Sequence, residues 1–217
     1  AIKHLSQIAD SVLVGGGVGN NFLKAEGVDI LNSYIQEASI ADENQRGVNF
    51  VTLAKKLLSN TNGQKILLHG YLPLPKIVVP IDVIAALSPE NGASKRIITL
   101  TKDSDQDLSK KLMFLDIGPT TIRLYQEIIK GAKTIFWNGP VGVFEKPAFA
   151  AGTKAIAQAV ADANPQAVTV LGGGDTIAAI HQFGLQDKYD YVSSAGGAAL
   201  EFLGGKTLPG LKPLLTS

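Results

Sequence analysis

Residues 169–180 read TVLGGGDTIAAI. A β-branched apolar run meets Gly172, Gly173 and Gly174, then Asp175 and Thr176, then the apolar spacing of a helix. Glycine loses more conformational freedom on folding than any other residue. Three in succession at the end of a buried strand therefore predict that something approaches the backbone closely. The first N–H groups of a helix lack internal partners, and the helix dipole adds partial positive charge there. Gly173, Gly174 and Thr176 thus make a candidate anion site suited to phosphate. A carboxylate beside phosphate is repulsive unless a cation lies between them. Mg²⁺ binds through one or two carboxylates plus substrate phosphates, so Asp175 is a candidate metal ligand. Asp is also a common N-cap, and the two roles are compatible.

Four further turns share this character: GGGVGNN (15–21), DIGPTT (116–121), WNGPVGVFE (137–145) and SSAGGAA (193–199). Any one of them could serve only tight packing. At the carboxyl ends of strands in one open α/β sheet, where ligands bind, five would build a rim of exposed N–H groups. SSAGGAALEFL offers a second anion site. Glu145, after an apolar GVF, could accept hydrogen bonds from ribose hydroxyls or simply be solvated. His4, His69 and His181 have no nucleophile or metal spacing around them, and Trp137 reads as core or cleft edge. The common nucleotide motifs fail. The dinucleotide pattern G-x-G-x-x-G needs a third glycine where Asn20 or Phe22 stands, and Gly205-Lys206-Thr207 would need a Walker A glycine where Leu200 stands.

Positioning these turns requires alternating strands and helices. Continuous apolar runs predict strands over 11–14, 76–79, 96–100, 113–116, 133–137, 168–171 and 191–193, buried on both faces. Between them apolar residues recur at helical spacing: Phe50, Leu53, Ala54, Leu57; Ile122, Tyr125, Ile128, Ile129; Ile156, Ala159, Val160; Ile177, Ile180. The pattern predicts an α/β fold, three-layer α/β/α, with a mainly parallel Rossmann-like sheet. Residues 59–76, with Pro73 and Pro75, suit a hairpin or extended loop; 88–95 reads as a turn, and 204–217 as a Gly- and Pro-rich tail over the surface.

With 217 residues the chain can bury a sizeable core as one domain. Its net charge of +1 gives no footprint for nucleic acid. Absence of cysteine excludes disulfides and thiolate chemistry and fits a cytoplasmic location. No run approaches the ~18 apolar residues of a membrane span, and no signal peptide is visible. The chain starts without Met, directly in an amphipathic pattern (Ile2, Leu5, Ile8), as a piece of a longer protein would.

The stretches VGGGVGNNFLKA (14–25), VVPIDV (78–83), LDIGPTTI (115–122), GAKTIFWNGPVGVFE (131–145), GTKAIAQAV (152–160), GGGDT (172–176), VSSAGGAALEFL (192–203) and GKTLPG (205–210) occur in this order. In them the chain resembles, end to end, the C-terminal nucleotide-binding domain of phosphoglycerate kinases. The resemblance implies reversible phosphoryl transfer between 1,3-bisphosphoglycerate and ADP, giving 3-phosphoglycerate and ATP. It places Gly16 and Gly17 near the adenine, lined also by Leu115, Pro140 and Val143. Asn138 would lie near the phosphates, and Glu145 on the ribose. Gly173, Gly174 and Thr176 would donate to the phosphates, Asp175 would hold Mg²⁺, and Gly196 and Gly197 would lie, with Gly173, at the transferring phosphoryl group. Members of the family are about twice this length. The 3-phosphoglycerate site belongs to an N-terminal domain that this sequence does not contain, so the chain alone is expected to bind nucleotide weakly, as a monomer, and transfer nothing. Departures from the family pattern are Phe114, Tyr34 and Ala195. The alternative is a non-catalytic nucleotide-binding or regulatory module; the failed dinucleotide fingerprint argues against an oxidoreductase.

Overall fold

A computed structural model describes residues 2–35, 48–90, 93–100 and 111–214. Residues 91, 92 and 215–217, within the expected turn and tail, lie outside the described residues. The elements run α1 (Ile2–Ile8), β1 (Val12–Leu13), α2 (Gly16–Ala25), α3 (Phe50–Asn60), β2 (Lys65–Leu68), β3 (Leu72–Pro75), β4 (Ile77–Val78), β5 (Asp82–Ala86), β6 (Arg96–Thr99) and β7 (Met113–Ile117). They continue with α4 (Pro119–Lys130), β8 (Thr134–Asn138), α5 (Ala151–Ala163), β9 (Val168–Gly172), α6 (Gly174–Gln182), β10 (Tyr191–Ser193) and α7 (Gly197–Leu203).

The α/β class is as the sequence predicts, and each expected apolar run forms a strand. Parallel pairing joins β1 to β4, and β8 to β9 to β10. Two strands differ from the expectation. β6 and β7 flank β5 in a separate antiparallel sheet, with Val83 opposite both Ile98 and Ile117. The strand expected over 76–79 ends before Pro80, which supplies no ladder N–H, and β5, a strand the sequence reading did not include, follows at Asp82 and takes β6 and β7 as partners. Residues 65–75 form the hairpin β2–β3, and Pro73 and Pro75 are accommodated on its two-stranded ladder.

Helix starts explain much of the local order. Glycine, not a capping side chain, precedes α4, and Pro119 opens it. The missing cap comes from β5. Asp82 accepts hydrogen bonds from the N–H groups of Thr120 (2.9 Å) and Thr121 (2.7 Å) and from the Thr121 hydroxyl (2.7 Å). Thr121 Oγ1 in turn accepts from the N–H of Ile81 and Asp82. A Cβ on Gly118 would collide with the Asp82 carboxylate, so glycine there is a clearance requirement.

The largest core cluster packs α4 and α5 on the strands, through Tyr125, Ile129, Ile156 and Val160 against Ile117, Ile135, Trp137 and Leu171. Tyr125 is 1% exposed, and its hydroxyl lies 2.8 Å from the Val14 carbonyl oxygen and 2.9 Å from that of Val78. Burial pushes its pKa far up, which keeps the phenol protonated as the donor that ties α4 to the ends of β1 and β4. No helix among the described residues is long and apolar enough to cross a membrane.

Candidate functional site

Three glycine turns follow β8, β9 and β10, the three strands of one parallel ladder. Because parallel strands end on the same side, their turns converge there. They enclose a cavity of about 230 Å³ lined by Asn138 and Gly139, by Gly173 to Thr176, and by Gly196 and Gly197. The Gly173 and Gly196 backbones have φ of +92° and +52° and immediately precede α6 and α7. L side chains rarely adopt such conformations. In each turn the reversal therefore delivers the helix start straight from the strand end, with its free N–H groups at the cavity.

Side chains brace the turns to each other. Asn138 Nδ2 donates to the Gly172 carbonyl, and a Cβ on Gly173 would collide with that same amide. Thr176, fully buried, accepts a hydrogen bond from the Gly139 N–H at 2.7 Å. The Trp137 indole N–H donates to the Gly139 carbonyl at 2.8 Å. Behind them, Asp190 accepts hydrogen bonds from the Thr169 N–H and hydroxyl, both at 2.8 Å, which fixes the segment entering β10 to the start of β9.

Asp175 is exposed in the first turn of α6, two residues beyond the N-cap position, which Gly173 occupies without a side-chain bond. Among the described residues no group of three or more His, Cys, Asp or Glu is arranged to hold a metal ion. The donor set at this cavity is one carboxylate beside several backbone N–H groups. That composition fits a hard cation shared with phosphate oxygens and does not fit an all-protein metal cage.

The other predicted site residues do not line this cavity. They form a neighbouring region, reached along residues 139–145. The Gly16 N–H donates to the Val141 carbonyl at 3.1 Å, and the Val143 N–H donates to the Leu115 carbonyl at 2.8 Å. Gly16 approaches the Pro140 carbonyl, and Gly15 has no room for a Cβ beside Val141. A Cβ on Gly17 would meet the ring of Tyr34, which is 71% exposed and has room to swing aside. Leu115 is buried, Pro140 and Val143 are half-buried and Glu145 is exposed. Sequence reasoning missed Asp116, the buried carboxylate beneath this loop. The signal available was an acid inside the apolar run MFLDI.

A larger cavity, about 350 Å³, lies between α1 and α3 and is lined by Lys3, Ser6, Leu57, Thr61 and Lys76. The Ser6 and Thr61 hydroxyls are engaged by helix carbonyls, and no glycine turn faces it. Size alone does not make it the functional site. The smaller cavity has the free helix N–H groups and the adjacent carboxylate.

The family model for phosphoglycerate kinase matches residues 1–206. A phosphoglycerate kinase of Desulfosudis oleivorans is 39% identical over 214 residues, covering 99% of this chain and 47% of that protein. One of Pelotomaculum thermopropionicum is 41% identical, with 99% and 48% covered. Among solved structures, phosphoglycerate kinase from Coxiella burnetii superposes with a TM-score of 0.81 at 35% identity, covering 99% of this chain and 48% of that one. The chain therefore spans about half the length of the relatives it matches. It belongs to the phosphoglycerate kinase family.

Proposed function

We propose that this chain is the ADP/ATP-binding half of a phosphoglycerate kinase and forms one nucleotide-binding unit. The observation that carries this reading is the cavity where three glycine turns from one parallel ladder present helix-start N–H groups around a single carboxylate. Nucleotide phosphates would accept from the backbone at Gly173, Gly174 and Thr176. Asn138 would hold the Gly172–Gly173 turn open for them. Gly16, Gly17, Leu115, Pro140 and Val143 would border the adenine, and Glu145 the ribose, around the loop that leads away from Gly139.

The overall reaction moves one phosphoryl group. The bond from the γ-phosphorus to the β,γ-bridging oxygen of ATP breaks, and a bond to a carboxylate oxygen of 3-phosphoglycerate forms, reversibly. Such transfers need positioning and charge stabilisation more than covalent help. The backbone N–H groups of Gly173, Gly196 and Gly197 would stabilise charge on the transferring group. Asp175 would hold Mg²⁺, which supplies neutralisation of the phosphate charge when bound. The carboxylate acceptor would be held by chain outside this sequence, so this half binds nucleotide without completing transfer.

The test is equilibrium binding of ADP and of 3-phosphoglycerate to the 217-residue chain, with an assay for phosphoryl transfer. The reading expects saturable ADP binding, no 3-phosphoglycerate binding and no transfer. Transfer by the chain alone, or failure to bind ADP, overturns it.

A further inference from the structure

The cavity does not explain one buried charge. Asp116, on β7, is 4% exposed and belongs to none of the glycine turns around the phosphate-sized space. Its carboxylate sits where three elements meet. Oδ1 accepts from the N–H of Ile117 at 2.9 Å, and Oδ2 from the N–H of Gly152 at 2.7 Å. Gly152 lies in the first turn of α5, whose N-cap, Ala150, offers no side-chain bond. A carboxylate from the neighbouring sheet thus supplies the cap that the helix lacks, with the charge the dipole favours.

The loop between β8 and α5 is packed on the same group. A Cβ on Gly142 would collide with Asp116 Oδ1, and so would one on Gly152. Both glycines give the carboxylate room, and the loop backbone is pressed against it. Next to this contact the Val143 N–H bonds to Leu115 O, and the Lys146 N–H bonds to Val143 O at 3.1 Å. Thr153, also in the first turn of α5, accepts from the Val141 N–H at 3.2 Å. Position of the loop and position of α5 are therefore set together by what Asp116 holds.

We propose that Asp116 is the positioning residue for the nucleoside end of the site: it fixes residues 140–145 against β7 and itself touches none of the phosphate-facing turns. This rests on the reading that the loop contacts the base and ribose. Above about pH 7, where this buried carboxyl is ionised, each of its oxygens accepts from one backbone N–H donor. An asparagine amide offers one acceptor oxygen, and its NH₂ would face a donor, leaving either Ile117 or Gly152 without a partner.

The experiment compares Asp116→Asn and, independently of charge, Gly142→Ala with the parent 217-residue chain. Hydrogen exchange at the Val143 and Lys146 amides reads the loop directly, without nucleotide, against Leu171 in β9 as internal control. The expected result is exchange at least about tenfold faster at Val143 and Lys146 in both variants, with Leu171 changed less than about twofold. Calorimetric titration then separates the two ends of the site. ADP should weaken about tenfold while inorganic pyrophosphate, which has no nucleoside, stays within about twofold. Unchanged loop exchange in both variants overturns the proposal, as does equal weakening of ADP and pyrophosphate. If the parent chain binds neither ligand, the nucleotide reading fails, and the exchange ratio alone decides whether Asp116 fixes the loop.

Discussion

The hydroxyl of Thr176, in the first turn of α6, accepts a hydrogen bond from the backbone N–H of Gly139, just beyond β8, at 2.7 Å. Two turns 37 residues apart in sequence are thereby fixed to each other by one oxygen atom. The side chain is fully buried, while its donor Gly139 borders the cavity. Thr176→Val keeps the shape and removes the acceptor, which should cost about 0.5–1.5 kcal/mol. Urea denaturation should show that loss, and ADP affinity should fall with it. Thr176→Ser, which keeps the oxygen, should retain most of both.

Gly173→Ala should be more damaging than its size suggests. The backbone there has φ of +92°, and the added methyl would meet the Asn138 amide that braces the neighbouring carbonyl. Strain of about 1–3 kcal/mol falls on the turn proposed to carry the phosphate contacts. Pyrophosphate affinity, measured by calorimetry, should drop at least about tenfold. Gly63→Ala, also at positive φ but with open space around it and remote from the site, should lower stability without changing pyrophosphate binding.

Asp82 and Asp116 make opposite contributions to acid stability. Burial works against the Asp82 charge, but hydrogen bonds from the Thr121 hydroxyl and the N–H groups of Thr120 and Thr121 outweigh it and hold the pKa below the usual 3.8. Its stabilisation is present above 3.8 and is lost as pH falls through the lowered value. Asp116 is the reverse: burial, only partly offset by two backbone hydrogen bonds and the charge of Lys95, pushes its pKa up to about 7. The folded state binds the extra proton, so this contribution is full below 3.8 and fades as pH rises through about 7. Urea midpoints measured from about pH 3 to about pH 9 should therefore show a downward slope above pH 4 that Asp116→Asn flattens. Asp82→Ala should remove part of the loss at the acid end and cost about 2 kcal/mol at neutral pH, from the α4 cap.

Much of this site could be read before folding because its signals are local. A strand running into three glycines and then a helix start is contained within residues 168–182, and the three turns on β8, β9 and β10 converge as expected of a parallel ladder. The antiparallel sheet was not legible. β5 continues the apolar run of β4, and the break at Pro80 resembles a strand end within one element. The turn at 116–121 therefore lies on the antiparallel sheet, with Asp82 capping the helix that starts there, and the turn at 15–21 follows β1 on the β1–β4 pair, so neither shares the ladder of β8, β9 and β10. The bracing roles of Asn138 and Thr176 were illegible for another reason. Their partners, Gly172 and Gly139, are more than 30 residues away in sequence, and only the fold brings them together. Asp116 escaped notice on the same ground: an acid in an apolar run signals burial, but its partner Gly152 is 36 residues distant.

The central claim is that the cavity between the glycine turns holds nucleotide phosphates beside a metal ligated by Asp175. Calorimetric titration of the 217-residue chain with ADP, with and without Mg²⁺, on the parent and on Asp175→Ala, tests it most directly. Asp175 is exposed, so the variant should fold normally. The account predicts saturable ADP binding that Mg²⁺ tightens in the parent, with the Mg²⁺ increment abolished and metal-free binding preserved or improved in Asp175→Ala. An unchanged Mg²⁺ increment in the variant, or no saturable binding of ADP by the parent at millimolar concentration, would contradict it.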